Sequence, residues 1–220
     1  MRKRIAVVIS VWLALSTGLL MPVYGQQMKA VQLPRPQLEL KGSLMHALKD
    51  RKSTRAFSDK NLSSQTLSNL LWAAFGINRP ASGKRTAPSA HNRQEIDVYV
   101  TTAQGAYRYD PKRNALLPVV SGDIRALAGT QSYVKDAALN LVYVADLKKM
   151  GGGDQASKMY LAAADTGFIG QNVYLYCATQ GLATVFRAMI DRQKLAKALK
   201  LTPDQRITFA QTVGFPEFTK

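Results

Sequence analysis

Two short runs hold the residue types best suited to chemistry: Arg51-Lys52-Ser53-Thr54-Arg55-Ala56-Phe57 and Ala87-Pro88-Ser89-Ala90-His91-Asn92-Arg93-Gln94. The first packs three cations and two hydroxyls into five residues. In an extended chain Arg51, Ser53 and Arg55 project to one side, because side chains alternate along a strand. Two guanidinium forks around a hydroxyl suit a phosphate monoester. The second run is a Pro-initiated turn with a hydroxyl and two carboxamides. Ser89, Asn92 and Gln94 can meet several edges of a polar heterocycle. Together the runs point to a phosphorylated, ring-bearing ligand.

Each run also has a plainer reading. Arg51 and Lys52 can serve a helix C-terminus, where cations are favoured. Pro88-Ser89 can be an ordinary turn whose amides satisfy backbone groups. Other chemistries find little support. Cys177 is the sole cysteine and lies in the apolar run Val173-Tyr174-Leu175-Tyr176-Cys177-Ala178, which reads as core. His46 and His91 are the only histidines, and neither has a second ligand at metal spacing. Ser89 beside His91 is too close in sequence for a productive nucleophile–base pair.

The elements that must position these runs follow from caps and periodicity. Residues 26–42, with Pro34, Pro36 and Gly42, read as an extended arm. Ser43 caps a helix to about Lys49; Ser63 and Ser64 open another that Gly76 ends. Residues 78–93 read as a long polar loop, a length that inside a compact domain is often functional. Strands are predicted at 96–100, 106–109 and 116–120, with a turn at Asp110-Pro111. A short helix at 123–128 and a buried strand at 138–144 follow. Asp154, after Gly151-Gly152-Gly153, caps the longest helix, about 155–180. Its stripe of Ala163, Gly167, Gly170, Tyr174 and Ala178 is either tight internal packing or a surface where two subunits approach. A basic helix near 191–200 and a strand at 207–213 complete the domain. Lys194, Lys197 and Lys200 there read as a solvated face.

With those residues in place, the chain resembles the FMN-dependent nitroreductase superfamily. Arg-Lys-Ser-Thr-Arg-x-Phe followed by Pro-Ser-x-x-Asn-x-Gln carries the likeness. Further segments resemble its SagB-type dehydrogenase branch: Leu33-Pro34-Arg35-Pro36, Leu71 to Arg79, and Arg85-Thr86-Ala87-Pro88-Ser89. So do Ala164-Asp165-x-Gly167-x-x-x-Gln171-Asn172, Gly181-Leu182-Ala183-Thr184 and Thr212-Val213-Gly214-Phe215-Pro216. The matches run in order from about residue 33 to 217.

The resemblance implies an α+β fold with a central, mostly antiparallel sheet flanked by helices, and a homodimer with FMN at the subunit interface. It implies that Arg51 and Ser53 grip the phosphate and ribityl chain, that Lys52 assists, and that Arg55 lies near the pyrimidine end of the flavin. Pro88, Ser89, Ala90 and Asn92 would reach the FMN held mainly by the other subunit, with Gln94 structural and His91 without a role. Backbone groups near the flavin N5 edge would come from Arg187, Ala188 and Met189. The usual Pro-x-Glu-Gly-like pattern is absent there, and Phe186-Arg187-Ala188-Met189 stands in its place. Longer relatives bring late basic residues to the phosphate; without them the resemblance implies a more weakly held FMN, unless Arg187 or Lys220 substitutes. The implied chemistry is hydride transfer through flavin N5. One direction reduces nitroaromatic or quinone-like acceptors; the other oxidises an azoline or related substrate, as SagB-type enzymes do. A basic flavin- or anion-binding protein without turnover is the non-enzymatic alternative.

The N-terminus and the charge set the remaining bounds. Arg2, Lys3 and Arg4 precede an apolar stretch from Ile5 to Met21, with Val23 and Gly25 at cleavage-site spacing. Residues 1–25 therefore read as a secretory signal peptide, with an uncleaved anchor as the alternative, and 43–220 as the FMN-binding domain. The mature chain is expected to be exported, periplasmic or extracytoplasmic, without stable membrane insertion. Its removal lowers the formal net charge from +16 to +13 and leaves about 195 residues, enough for one domain. A basic balance of this size suits nucleic acid, an anionic membrane surface or an anionic ligand, but the basic residues are scattered and match no nucleic-acid module; the expected partner is a small-molecule substrate, not nucleic acid.

Overall fold

The structure is a computed structural model that describes residues 28–39 and 42–217. The predicted signal peptide and Lys220 lie outside these residues. Among the described residues, no helix is long and apolar enough to cross a membrane.

Strand β1 (Val31–Gln32) belongs to the arm and pairs antiparallel with a later strand. Helix α1 (Leu44–Asp50) starts at Ser43, whose Oγ accepts the His46 N–H at 3.2 Å. Helix α2 (Ser64–Phe75) starts at Ser63, whose Oγ accepts the Thr66 N–H at 3.1 Å, and stops at Gly76. The segment expected to be a long loop opens with a small hairpin, β2 (Ile77–Arg79) on β3 (Lys84–Arg85). Its polar, exposed strands carry no hydrophobic alternation to announce it.

A meander follows: β4 (Ile96–Thr101), β5 (Gly105–Asp110) and β6 (Ala115–Ser121). The short helix expected at 123–128 is a 3₁₀ turn, Arg125–Ala128. Strand β7 (Leu139–Asp146) leads to the long helix α3 (Gln155–Thr179), where Asp154 accepts the Ser157 N–H at 2.8 Å. Strand β8 (Ala183–Arg187), helix α4 (Arg192–Ala198) and strand β9 (Gln205–Gly214) end the domain. Strand β8 has no counterpart among the predicted elements.

Seven strands form one antiparallel sheet in the order β1-β6-β5-β4-β7-β9-β8. Central β7 shows why helices cover both faces. Leu139, Leu141, Tyr143 and Ala145 pack in the core shared with Leu70, Leu71 and Phe75 of α2 and Ile169, Val173 and Cys177 of α3. Val142 and Val144, on the alternate face, join Ala128, Val134, Leu195 and Leu199. This is the expected α+β architecture, a large antiparallel sheet flanked by helices.

The stripe on α3 divides in two. A Cβ on Gly170 would meet the Phe186 ring at 2.6 Å, so that glycine lets α3 lie against β8. Gly167 faces open space.

Candidate active site

Strand β8 is the edge of the sheet, and its free edge organises the site. The Thr54 N–H donates to the Thr184 carbonyl at 2.9 Å. Farther along, Ser58 N–H donates to Phe215 O at 3.0 Å, Phe57 bridges Pro216, and Glu217 N–H donates to Ala56 O. The segment after α1 is thus stapled along residues 184 and 215–217. An exposed polar stretch gains a fixed conformation by satisfying backbone groups that an edge strand leaves open.

Between this segment and α3 lies a cavity of about 900 Å³. Lys52, Ser53, Thr54 and Arg55 line one wall, Tyr174 and Ala178 of α3 another, and Gly181 to Thr184 with Pro216 and Glu217 the rest. Sites for cofactors fall in this size range. The lining corrects the strand-like alternation expected for this run: five consecutive residues, Lys52 to Ala56, face the cavity, because the segment is stapled rather than paired as a strand. Arg51 instead stacks on Tyr174, its guanidinium carbon 5.2 Å from the ring centroid. The cations are partly offset by Asp50 and Glu217 at the rim. The Arg51 N–H closes α1 on the Ala47 carbonyl at 2.9 Å, a bond of the backbone and not of the cation.

The Pro88 run does not line this cavity within one chain. Ser89 Oγ accepts the Gln94 N–H at 3.0 Å, and Asp165 of α3 accepts the Ala90 N–H at 2.9 Å. Gln94 accepts from Arg85 Nε and donates to Gly83 O and Asn92 Oδ1, the structural part expected of it. His91, Asn92 and Gln94 have φ of 53°, 54° and 50°, left-handed backbone that L residues seldom adopt. Such strain persists only where surrounding bonds hold it. It leaves Pro88 and Asn92 exposed.

Arg187 corrects the expectation that its side chain helps bind phosphate. Its guanidinium is buried, with Nε and Nη2 on Thr212 Oγ1 at 3.0 and 2.9 Å, Nη2 on Asn140 Oδ1 at 2.7 Å, and Nη1 on the Ala128 carbonyl. Burial pushes the guanidinium down to about 10. Ala188 and Met189 are exposed, and the Met189 carbonyl accepts the Thr130 N–H at 3.2 Å. None of the three lines the cavity within one chain. Cys177 of α3, also in the cavity wall, is fully buried, and burial pushes its thiol up, so it stays a core thiol.

Two residues escaped the sequence reading as site residues. Thr184 supplies the carbonyl that holds Thr54. Tyr174 accepts the Phe186 N–H at 2.9 Å and lies 2.7 Å from Ser53 Oγ. The signal for Tyr174 was its place one turn after Gly170, the point where α3 meets β8.

FMN fits this donor set: Ser53 and Lys52 with Arg51 behind them suit a phosphate, and the cavity has room for more than a phosphate.

The comparisons with known proteins agree with this geometry. The nitroreductase family profile matches residues 48–215. A provisionally named nitroreductase of Ralstonia eutropha JMP134, known from its crystal structure, is 38% identical, with a TM-score of 0.84 over 89% of this chain and 93% of that one. A provisionally named nitroreductase of Methanocaldococcus jannaschii is 27% identical over 183 residues, 78% of this chain and 89% of the relative. The Escherichia coli microcin synthetase complex contains a chain of like fold, at 24% identity and a TM-score of 0.68 over 92% of this chain and 78% of that one. Sheet, stapled loop and family profile agree: the chain belongs to the nitroreductase family and is an oxidoreductase of it.

Proposed function

We propose that the protein is an exported, homodimeric FMN-dependent oxidoreductase that reduces electron-poor acceptors such as nitroaromatics or quinones. The observation that carries this reading is the cavity of about 900 Å³ walled by Lys52, Ser53, Thr54 and Arg55 on the edge of β8. Bound FMN would supply the hydride chemistry, so the protein needs no acid or base of its own at the reacting atom. The chain's part is to hold and orient. Arg51, Lys52 and Ser53 take the phosphate, and Arg55 places positive charge at the pyrimidine end of the ring, favouring its reduced, anionic form. The backbone of Arg187, Ala188 and Met189 borders the ring edge in this reading.

Pro88, Ser89, Ala90 and Asn92 complete the site of the opposite chain. Pro88 and Asn92 are exposed, and Ser89 and Ala90 half-buried, on a loop fixed by Asp165 and Gln94, which suits that part. Apolar side chains exposed on α1 and α3, namely Leu44, Met45, Leu48, Tyr160 and Phe168, offer a surface for the second copy. The basic and apolar N-terminal segment supports export of residues 26–220.

NAD(P)H is scarce outside the cytoplasm, so the decisive assay varies the donor. FMN-loaded protein is reduced anaerobically by a series of donors, then mixed with a nitroaromatic or a quinone. Rapid return of the oxidised flavin spectrum is the expected result. Reoxidation no faster than that of free reduced FMN contradicts acceptor reduction. Flavin reduction by an azoline substrate alone would instead favour the SagB-type direction.

A further inference from the structure

We infer that Tyr174 is a positioning residue that sets Ser53 as a hydrogen-bond donor to a phosphate monoester at the cavity and steadies Arg51 behind it. The inference rests on the FMN reading above and goes beyond it to a residue of α3 outside both sequence runs.

Tyr174 Oη receives the N–H of Phe186, an edge-strand donor that β9 does not use, at 2.9 Å. A phenol that accepts one hydrogen still has its own to give. Its remaining polar neighbour is Ser53 Oγ at 2.7 Å. If Ser53 donated to Tyr174, the phenolic hydrogen would have no partner among the described residues. The satisfied arrangement runs one way: Phe186 N–H to Tyr174, Tyr174 O–H to Ser53 Oγ. Ser53 is exposed on the cavity wall, and its own hydrogen is then free for an acceptor there. A relay anchored on backbone thus turns a serine, which can donate or accept, into a donor. That is the polarity a phosphate oxygen requires.

The same ring serves the charge. Arg51 lies over Tyr174 at 5.2 Å from its centroid. A cation held against a ring face has fewer alternative positions than one on a free side chain. One aromatic residue therefore orders both the donor and the Arg51 guanidinium. The helix is placed to do this because Gly170, one turn earlier, lets α3 approach Phe186.

The test compares FMN with riboflavin, which differ only in the phosphate. Tyr174→Phe removes the hydroxyl and keeps the ring; Tyr174→Leu removes both. Affinities of wild type, Tyr174→Phe, Tyr174→Leu, Ser53→Ala and the Ser53→Ala/Tyr174→Phe double variant are measured for both ligands by flavin fluorescence. Tyr174→Phe should weaken FMN about three- to tenfold, with riboflavin changed less than twofold. Tyr174→Leu should weaken FMN further. The double variant should lose no more than the larger single loss, because both changes break one relay. Riboflavin binding serves as the control for folding. An unchanged FMN-to-riboflavin ratio in Tyr174→Phe, or losses that multiply in the double variant, overturns the inference while the FMN reading stands. Wild-type protein that binds no FMN overturns both.

Discussion

Arg187 carries its charge into the sheet without a carboxylate within ion-pair distance among the described residues, held by a carbonyl, an amide and a threonine. A buried charge is tolerated when its donors are used, and the guanidinium fork uses them in one plane. The side chain ties β8 to β7, β9 and the 3₁₀ turn, so its work is structural while its backbone stays next to the exposed Ala188 and Met189. Glu95 is the opposite case. It is fully buried, and neither carboxyl oxygen has a hydrogen-bond partner among the described residues. Burial first, helped by the neighbouring Asp165, pushes its carboxyl from 4.5 up to about 7, against the pull of its own backbone N–H and, more weakly, of Lys149. The sign follows from linkage. Below about pH 4.5 both folded and unfolded chains hold the proton and nothing is lost. Between about 4.5 and 7 only the unfolded chain releases it, so stability falls by at most roughly 1.4 kcal/mol per pH unit. Above 7 the loss is constant. Glu95→Gln should remove this slope. Urea denaturation at pH 5 and pH 7.5 should show wild type losing roughly 1–3 kcal/mol more than the variant. Equal losses would show that Glu95 is not held protonated.

At the scale of elements, α3 sets the distance between the core and the edge strand. Gly170 faces Phe186, and Phe186 is boxed in by Tyr143 at 5.8 Å and Phe209 at 4.8 Å between centroids. Those two rings limit how far Phe186 can move aside for a methyl group. Gly170→Ala should destabilise by roughly 1–3 kcal/mol, whereas Gly167→Ala, in open space on the same helix, should stabilise by up to about 1 kcal/mol. Chemical denaturation of both variants checks the pair, and equal effects would contradict the contact. The contrast also shows what was legible in the sequence. Ser43, Ser63 and Asp154 revealed helix starts because a capping side chain finds its partner three residues away. Strand β7 was legible because both its faces are buried and its residues are apolar. Strand β8 was not, because it is short, carries Thr184 and Arg187, and takes its identity from β9 some 25 residues later. The clamp residues 51–55 stood out by type. Tyr174 did not, since its partners Ser53 and Phe186 lie on other elements.

The whole molecule places its two chemical runs apart: residues 52–56 line the cavity, and Pro88 and Asn92 stand exposed on a separately braced loop. One chain therefore holds only part of the proposed site, and a two-fold dimer would complete two. Subunits bearing Arg51→Ala and Asn92→Ala then damage different halves. Verified heterodimers should contain one doubly damaged and one intact site and recover FMN binding in up to about half of their sites. No recovery beyond the two parent homodimers would show that these residues do not share a flavin across chains. The most direct test of the account is a flavin fluorescence titration of the purified protein with FMN, beside Arg51→Ala. Wild type should take up one FMN per chain, and Arg51→Ala should bind it more weakly by roughly 1.5–3 kcal/mol, about ten- to a hundredfold. Failure of wild type to take up FMN, or an unchanged affinity in Arg51→Ala, would contradict the phosphate clamp at the edge of β8.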